Sequence, residues 1–194
     1  MLKKIPNLLT VGRILIVPFF VLAFYLPGFY GDLTALILFI VASFTDFLDG
    51  MLARLLGEES KLGELLDPIA DKIIVATALI LLVMDGTIRQ YEVIAAIIIL
   101  TREILISGLR EFLAKGKIKL PVSNLAKLKT VLQMVSIALL LSGETGNKLI
   151  NFQDYNAQTI GIILLWLSAA LTLFTGYEYM RKGIDHAISE DNKN

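Results

Sequence analysis

No cysteine occurs in the chain, so disulfide staples and thiolate metal sites are excluded. Histidine is almost as scarce. His186 is the one example and stands in a polar tail, where it reads as a solvated side chain and not as a ligand. An excess of either charge is also missing, with 18 Lys and Arg against 18 Asp and Glu. A neutral chain gives no global electrostatic case for nucleic acid, and none is expected as a partner. There is no internal repeat and no low-complexity segment. The N-terminus has a short basic start, but Asn7, Arg13 and Pro18 interrupt the apolar stretch after it, and no small-residue cleavage site is seen. It reads as a retained first helix and not as a signal peptide.

What the chain has in quantity is apolar surface. Of 194 residues, 56% are hydrophobic and 19% charged, with a mean hydropathy of +0.71; soluble domains of this size are rarely so apolar. The length suits a single domain, 1–194. Apolar stretches separated by Gly, Pro, Asn and charged turns predict helices at about 7–26, 32–56, 61–84, 90–113, 123–142 and 157–182. Each is near or above the ~20 residues that span a hydrocarbon core. The expected fold is therefore all-α, a polytopic membrane bundle of six transmembrane helices. A five-span alternative would make the first segment interfacial, because Asn7 and Arg13 render its start amphipathic. Residues 1–8 read as an interfacial lead-in.

Basic residues orient the bundle. With six spans both termini share a side, which then holds Lys3, Lys4, Lys61, Lys115, Lys117, Lys119, Arg181, Lys182 and Lys193. The opposite loops hold Arg89 and Lys148. The positive-inside rule puts the first set in the cytoplasm. Charges also fall within or near the apolar stretches, among them Arg102, Glu103, Arg110, Glu111, Lys127 and Lys129. Such residues are costly in lipid and face cavities, so a polar cavity is expected on the cytoplasmic half. The expected location is the cell membrane, multi-pass, with the active site facing the cytoplasm.

Two apolar segments carry four aspartates. Residues three or four apart share a helix face, which pairs Asp46 with Asp49 and Asp67 with Asp71. Gly57 is a helix stop and Ser60 a helix start, predicting an antiparallel hairpin. Counted outward from that turn at ~1.5 Å per residue, Asp49 and Asp67 lie at roughly 10 Å, and Asp46 and Asp71 at roughly 16 Å. Four facing carboxylates cannot all ionise without a counter-charge. A pair of divalent cations, which take hard oxygen ligands, supplies one.

The pattern D-x2-D-G-x2-A-R-x8-G-x3-D-x3-D fixes eight residues over 26 positions. At every fixed position it resembles the signature of the CDP-alcohol phosphatidyltransferase family. That resemblance implies metal binding by Asp46, Asp49, Asp67 and Asp71, with Mg²⁺ or Mn²⁺ as the two ions and Asp71 also acting as general base. It implies a nucleotide and CDP-diacylglycerol site at Asp46, Gly50, Ala53, Arg54 and Gly63. The small residues Gly50, Ala53 and Gly63 serve close helix packing, room for a nucleotide, or both. Arg54 suits a pyrophosphate; its alternative is a snorkelling interfacial arginine. A second element, Asn7, Thr10 and Arg13, recurs every three residues, and in the family it helps close the nucleotide pocket. An ordinary N-terminal helix start explains it about as well.

A third element is cationic. Arg102, Arg110, Lys127 and Lys129 lie on two predicted helices joined by the basic loop of Lys115, Lys117 and Lys119. The four suit a small phosphorylated substrate, and the loop lysines suit anionic lipid. The R-E-x3-S-G-L-R-E-F and K-x-K-T-x2-Q-M patterns around them resemble the family branch that makes phosphatidylglycerol phosphate. The resemblance thus implies CDP-diacylglycerol and glycerol 3-phosphate as substrates, CMP as product, membrane lipids as surroundings and a homodimer. Two alternatives compete: another acceptor alcohol (serine, inositol phosphate or phosphatidylglycerol), and a small cation transporter using the four aspartates.

Overall fold

The computed structural model describes residues 5–56, 61–115, 124–149, 151–152 and 155–191. Side chains are described within 9–45, 66, 69–70, 72–113, 124–148, 156–181 and 183–184. In chain order the elements are α1 Ile5–Phe24, α2 Phe29–Leu56, α3 Lys61–Met84, α4 Glu92–Lys115, α5 Asn124–Leu141, α6 Gly143–Leu149, the strands β1 Asn151–Phe152 and β2 Tyr155–Asn156, and α7 Ala157–Asp191. The described chain is helical apart from that ribbon, in which Asn151 pairs with Asn156 and Phe152 with Tyr155.

Six long helices stand where six were expected, and α3 has the predicted bounds. The turns show why. The Asp85 carboxylate accepts the Thr87 N–H at 2.9 Å and the Thr87 hydroxyl at 3.0 Å, and Gly86 takes φ +80°, which only a residue without Cβ adopts readily. Glu92 accepts the Arg89 N–H at 3.0 Å, closing the start of α4. Asn156 accepts the Thr159 N–H at 2.9 Å, an N-cap that fixes the start of α7.

Two departures have physical causes. The segment after α5, expected to be a turn, contains the short helix α6. Gly143 turns the chain at φ +54°, and the Asp32 carboxylate accepts the Glu144 N–H. A Cβ on Gly143 would collide with that carboxylate. The cap comes from α2, far away in sequence, so local spacing gave no sign of it. The second departure is α7, which runs to Asp191 and not to 182. Gly183 lets it stay close to α4, since a Cβ there would lie 2.9 Å from Leu109 Cδ1.

The largest interface joins α5 to α7; α4 packs on α7, and α1 packs on both α2 and α3. The buried core is rich in small side chains, among them Ala23, Ala35, Ala42, Ala78, Ala95 and Ala169. Large apolar residues such as Phe19, Leu22, Phe44, Ile104, Val131 and Phe174 are exposed. Small residues inside let helix backbones approach in membranes, and exposed apolar surface on this scale marks contact with lipid or protein. Among the described residues, Asn124–Leu141 and Ala157–Arg181 are long and apolar enough to cross a membrane. Leu9–Phe24, Phe29–Thr45 and Lys72–Met84 are shorter apolar stretches. The protein is membrane-associated.

The α5–α7 seam makes a stability prediction. Ser136 Oγ donates to the Gly161 carbonyl at 2.7 Å, and a Cβ on Gly161 would sit 2.9 Å from Leu140 Cδ2. Gly161→Val should lower stability by about 1–3 kcal/mol through overpacking, read as a fall in Tm of the detergent-solubilised protein. Gly108→Ala, where a Cβ meets nothing within 4 Å, should leave Tm unchanged or raise it.

Candidate functional site

The motif residues fall on two consecutive helices. α2 carries Asp46, Asp49, Gly50, Ala53 and Arg54, and α3 carries Gly63, Asp67 and Asp71. Only residues 57–60 separate the two helices. The side chains of these eight residues, and that of Asn7 on α1, lie outside the described residues. Among the described residues no group of three or more His, Asp or Glu side chains is set to hold a metal.

The third helix around this hairpin is described in more detail. α1 packs on α2 and α3, and Thr10 and Arg13 are each 1% exposed. They share a face with buried Phe20 and Ala23, at spacings that keep one side of a helix inward. A buried guanidinium needs polar partners, and both Arg13 and Thr10 are engaged with neighbouring groups. Arg13 is thus a cation held at the wall that α1 shares with the two aspartate-bearing helices.

A second centre forms where α4, α5 and α7 meet. Lys129 on α5 donates to Glu103 on α4, and Arg102 Nη1 lies 3.6 Å from the same carboxylate oxygen. Arg102 Nη2 donates to Thr175 Oγ1 on α7 at 3.1 Å. That hydroxyl itself donates a hydrogen bond to the Leu171 carbonyl at 2.8 Å. Two turns along α4, Arg110 Nη2 donates to the Tyr179 hydroxyl at 2.8 Å. The Tyr179 ring serves both arginines: its centroid lies 4.8 Å from Arg110 Cζ and 5.9 Å from Arg102 Cζ, within cation–π range. Gly176 makes room for this packing, since a Cβ there would lie 3.1 Å from Arg102 Cγ.

The structure therefore gathers three of the four basic residues expected at the acceptor site. Arg102 and Lys129 share one carboxylate, and Arg110 joins them through Tyr179. Lys127 is exposed while Lys129 is buried; two residues apart on a helix, they lie about 200° round the axis from each other. Lys127 takes no part in these contacts.

The partners on α7 were not singled out from the sequence. Ser168, Thr172, Thr175 and Tyr179 are all buried, at intervals of four, three and four residues that place them on one face. This polar stripe in an otherwise apolar helix was the available signal. Around it, Arg102 Nε, Gln133 Oε1 and Thr172 Oγ1 are buried and have no hydrogen-bond partner among the described residues. Buried polar atoms of this kind take up water or ligand groups. At the far end of the bundle a cavity of about 140 Å³ is lined by Phe24, Asp32, Leu82, Asp85 and Leu140. Its two carboxylates are engaged in capping α6 and in the turn before α4.

The sequence pattern of the CDP-alcohol phosphatidyltransferase family matches residues 3–174. A Rickettsia felis protein named CDP-diacylglycerol–glycerol-3-phosphate 3-phosphatidyltransferase is 41% identical over 179 residues, covering 92% of this chain and 94% of its own. Proteins of the same name from Cereibacter sphaeroides and Shigella flexneri are 38% and 39% identical, covering 96% and 91% of this chain and 98% and 93% of their own. Matched over nearly its whole length by both the family pattern and these relatives, the chain belongs to the CDP-alcohol phosphatidyltransferase family.

Proposed function

We propose that this protein transfers the phosphatidyl group of CDP-diacylglycerol to glycerol 3-phosphate, giving phosphatidylglycerol phosphate and CMP in phospholipid biosynthesis. The observation that carries the acceptor assignment is the convergence of Arg102, Lys129 and Arg110 at one helix junction. A phosphate monoester bears close to two negative charges near neutral pH, and paired cations in a partly buried site are the direct way to hold it. The relatives' shared name supports the same substrates.

Asp46, Asp49, Asp67 and Asp71 would hold two divalent cations, Mg²⁺ or Mn²⁺. An all-carboxylate donor set fits such ions, which when bound neutralise a pyrophosphate and orient it. Asp71 takes the proton of the attacking glycerol hydroxyl. The freed oxygen forms its bond to the β-phosphorus, the bond from that phosphorus to the CMP oxygen breaks, and CMP leaves with the electron pair. Asn7, Thr10, Arg13, Gly50, Ala53, Arg54 and Gly63 line the nucleotide side of this reading. Arg102, Arg110 and Lys129 hold the acceptor phosphate. Lys127, expected beside them, is exposed and stands outside the cluster.

We infer one domain of six spans, with both termini, the aspartate hairpin and a polar cavity on the cytoplasmic side of the cell membrane, and two copies forming a homodimer. A lipid substrate with two acyl chains and a water-soluble acceptor can meet only at such an interface.

The direct test is CMP release by purified protein in detergent, supplied with CDP-diacylglycerol and either glycerol 3-phosphate, serine, inositol phosphate or phosphatidylglycerol. Release that depends on Mg²⁺ and on glycerol 3-phosphate is expected; preference for another acceptor would displace the assignment. Asp67→Asn nearly preserves shape while removing an anionic ligand, and should lower activity by at least ~100-fold. Near-normal activity at saturating Mg²⁺ would remove Asp67 from the metal site.

Arg110→Ala should raise the KM for glycerol 3-phosphate roughly tenfold or more, the worth of a charge-assisted contact, with CMP affinity nearly unchanged. An equal loss of CMP affinity would place Arg110 in the nucleotide site. Topology is read with single cysteines in this cysteine-free chain. Lys148→Cys, at a side chain 79% exposed, should react with an impermeant thiol reagent added to intact cells, whereas Arg181→Cys should not. The reverse pattern would invert the orientation.

A further inference from the structure

The cationic centre contains one feature that phosphate binding by itself does not call for. A carboxylate sits among its cations. Glu103 accepts from Lys129 and lies 3.6 Å from Arg102. Lys129, Arg102 and Arg110 carry three positive charges, Glu103 carries one negative charge, and the sum is +2.

Exposure gives the cluster an order of depth. The Lys129 side chain is 5% exposed, that of Arg102 is 12% exposed, and that of Glu103 is 23% exposed. Of the three side chains in mutual contact the anion is the most exposed, and the two cations it neutralises lie beneath it, while Arg110 stands at the exposed rim. An oxyanion arriving from solvent meets the place already taken by a carboxylate oxygen. The same two donors, the Lys129 ammonium and the Arg102 guanidinium, are those a phosphate oxygen would use. Arg102 is held from behind by Thr175 and Tyr179, and these contacts keep it in place whether or not the carboxylate stays.

We propose that Glu103 is a resident anion in the acceptor-phosphate site, a specificity-determining residue that selects dianionic phosphate monoesters over monoanions. The proposal rests on the reading of glycerol 3-phosphate as acceptor. With Glu103 in place the cluster's +2 matches a dianion. A monoanion gains too little from two cations already half satisfied to displace or share the carboxylate. A dianion gains enough to do so, and the more exposed Glu103 side chain moves toward solvent. Glu103 touches no reacting atom in this scheme and acts through Lys129 and Arg102, so its effect belongs in KM and not in kcat.

The experiment uses the full-length enzyme in detergent, with glycerol 3-phosphate as acceptor and glycerol 3-sulfate, its monoanionic counterpart, as competitor. In the wild type, glycerol 3-sulfate should inhibit with a constant at least about tenfold above the KM for glycerol 3-phosphate. Comparable binding of the two in the wild type overturns the proposal without recourse to any variant. Glu103→Gln keeps the shape and an acceptor oxygen for Lys129. It should lower the KM for glycerol 3-phosphate about threefold to tenfold, the span of one hydrogen bond's worth. It should also tighten glycerol 3-sulfate by more than that, with kcat and CMP affinity little changed. Glu103→Asp, which restores the charge, should return discrimination toward wild type. A raised KM in Glu103→Gln, or a loss of kcat with discrimination intact, means that Glu103 merely props the cations, and the proposal fails. Absence of any glycerol 3-phosphate-dependent CMP release in the wild type would instead defeat the acceptor reading itself.

Discussion

Charge inside an apolar bundle must be matched side chain by side chain, and the contact of Lys129 with Glu103 is where this chain meets that demand most directly. A lone ammonium on α5 at that depth would cost several kcal/mol in desolvation. The carboxylate from α4 offsets much of this, and the same carboxylate reaches Arg102. Arg102 in turn is tied to α7 by Thr175 and Tyr179. Three helices that are not all consecutive in the chain are thereby brought together at one set of charges. α7, which packs on both α4 and α5, is the element that makes the arrangement closed.

The protein carries apolar side chains outside as well as inside. Alanines stand among the buried Leu, Ile and Phe of the core, and many large apolar side chains look outward as well. Lipid makes this workable, because tails solvate Phe and Ile as well as a protein interior does, while close backbone approach becomes the source of packing energy. The contacts at Gly161, Gly176 and Gly183 belong to the same close packing. Each lets α7 come nearer to a neighbour than a side chain would allow. Ser136 is one polar side chain satisfied inside, by the Gly161 carbonyl.

Much of the architecture was legible in advance because its signals are local. The bounds of α3 come from a run of apolar residues between polar breaks, and Asp85, Gly86 and Thr87 announce their own turn. α6 was not legible, since its cap is Asp32 on a distant helix. The site divides in the same way. The aspartate motif and the basic pairs of α4 and α5 are sequence-near clusters whose residue types declare their chemistry. Thr175 and Tyr179 are ordinary residues that acquire a role only through the docking of α7. Lys127 and Lys129 look equivalent on paper, yet a rotation of about 200° sends one to solvent and the other into the cluster.

The α5–α7 pair is built differently along its length. Near the start of α7, Gly161 lies against Leu140 and its carbonyl is bonded to Ser136, with little room left over. Toward the other end the two helices carry Lys129, Gln133, Thr172 and Thr175, with polar atoms of Gln133 and Thr172 that have no protein hydrogen bond among the described residues. The seam is thus closely packed at one end, and its unpaired buried polarity is gathered at the other.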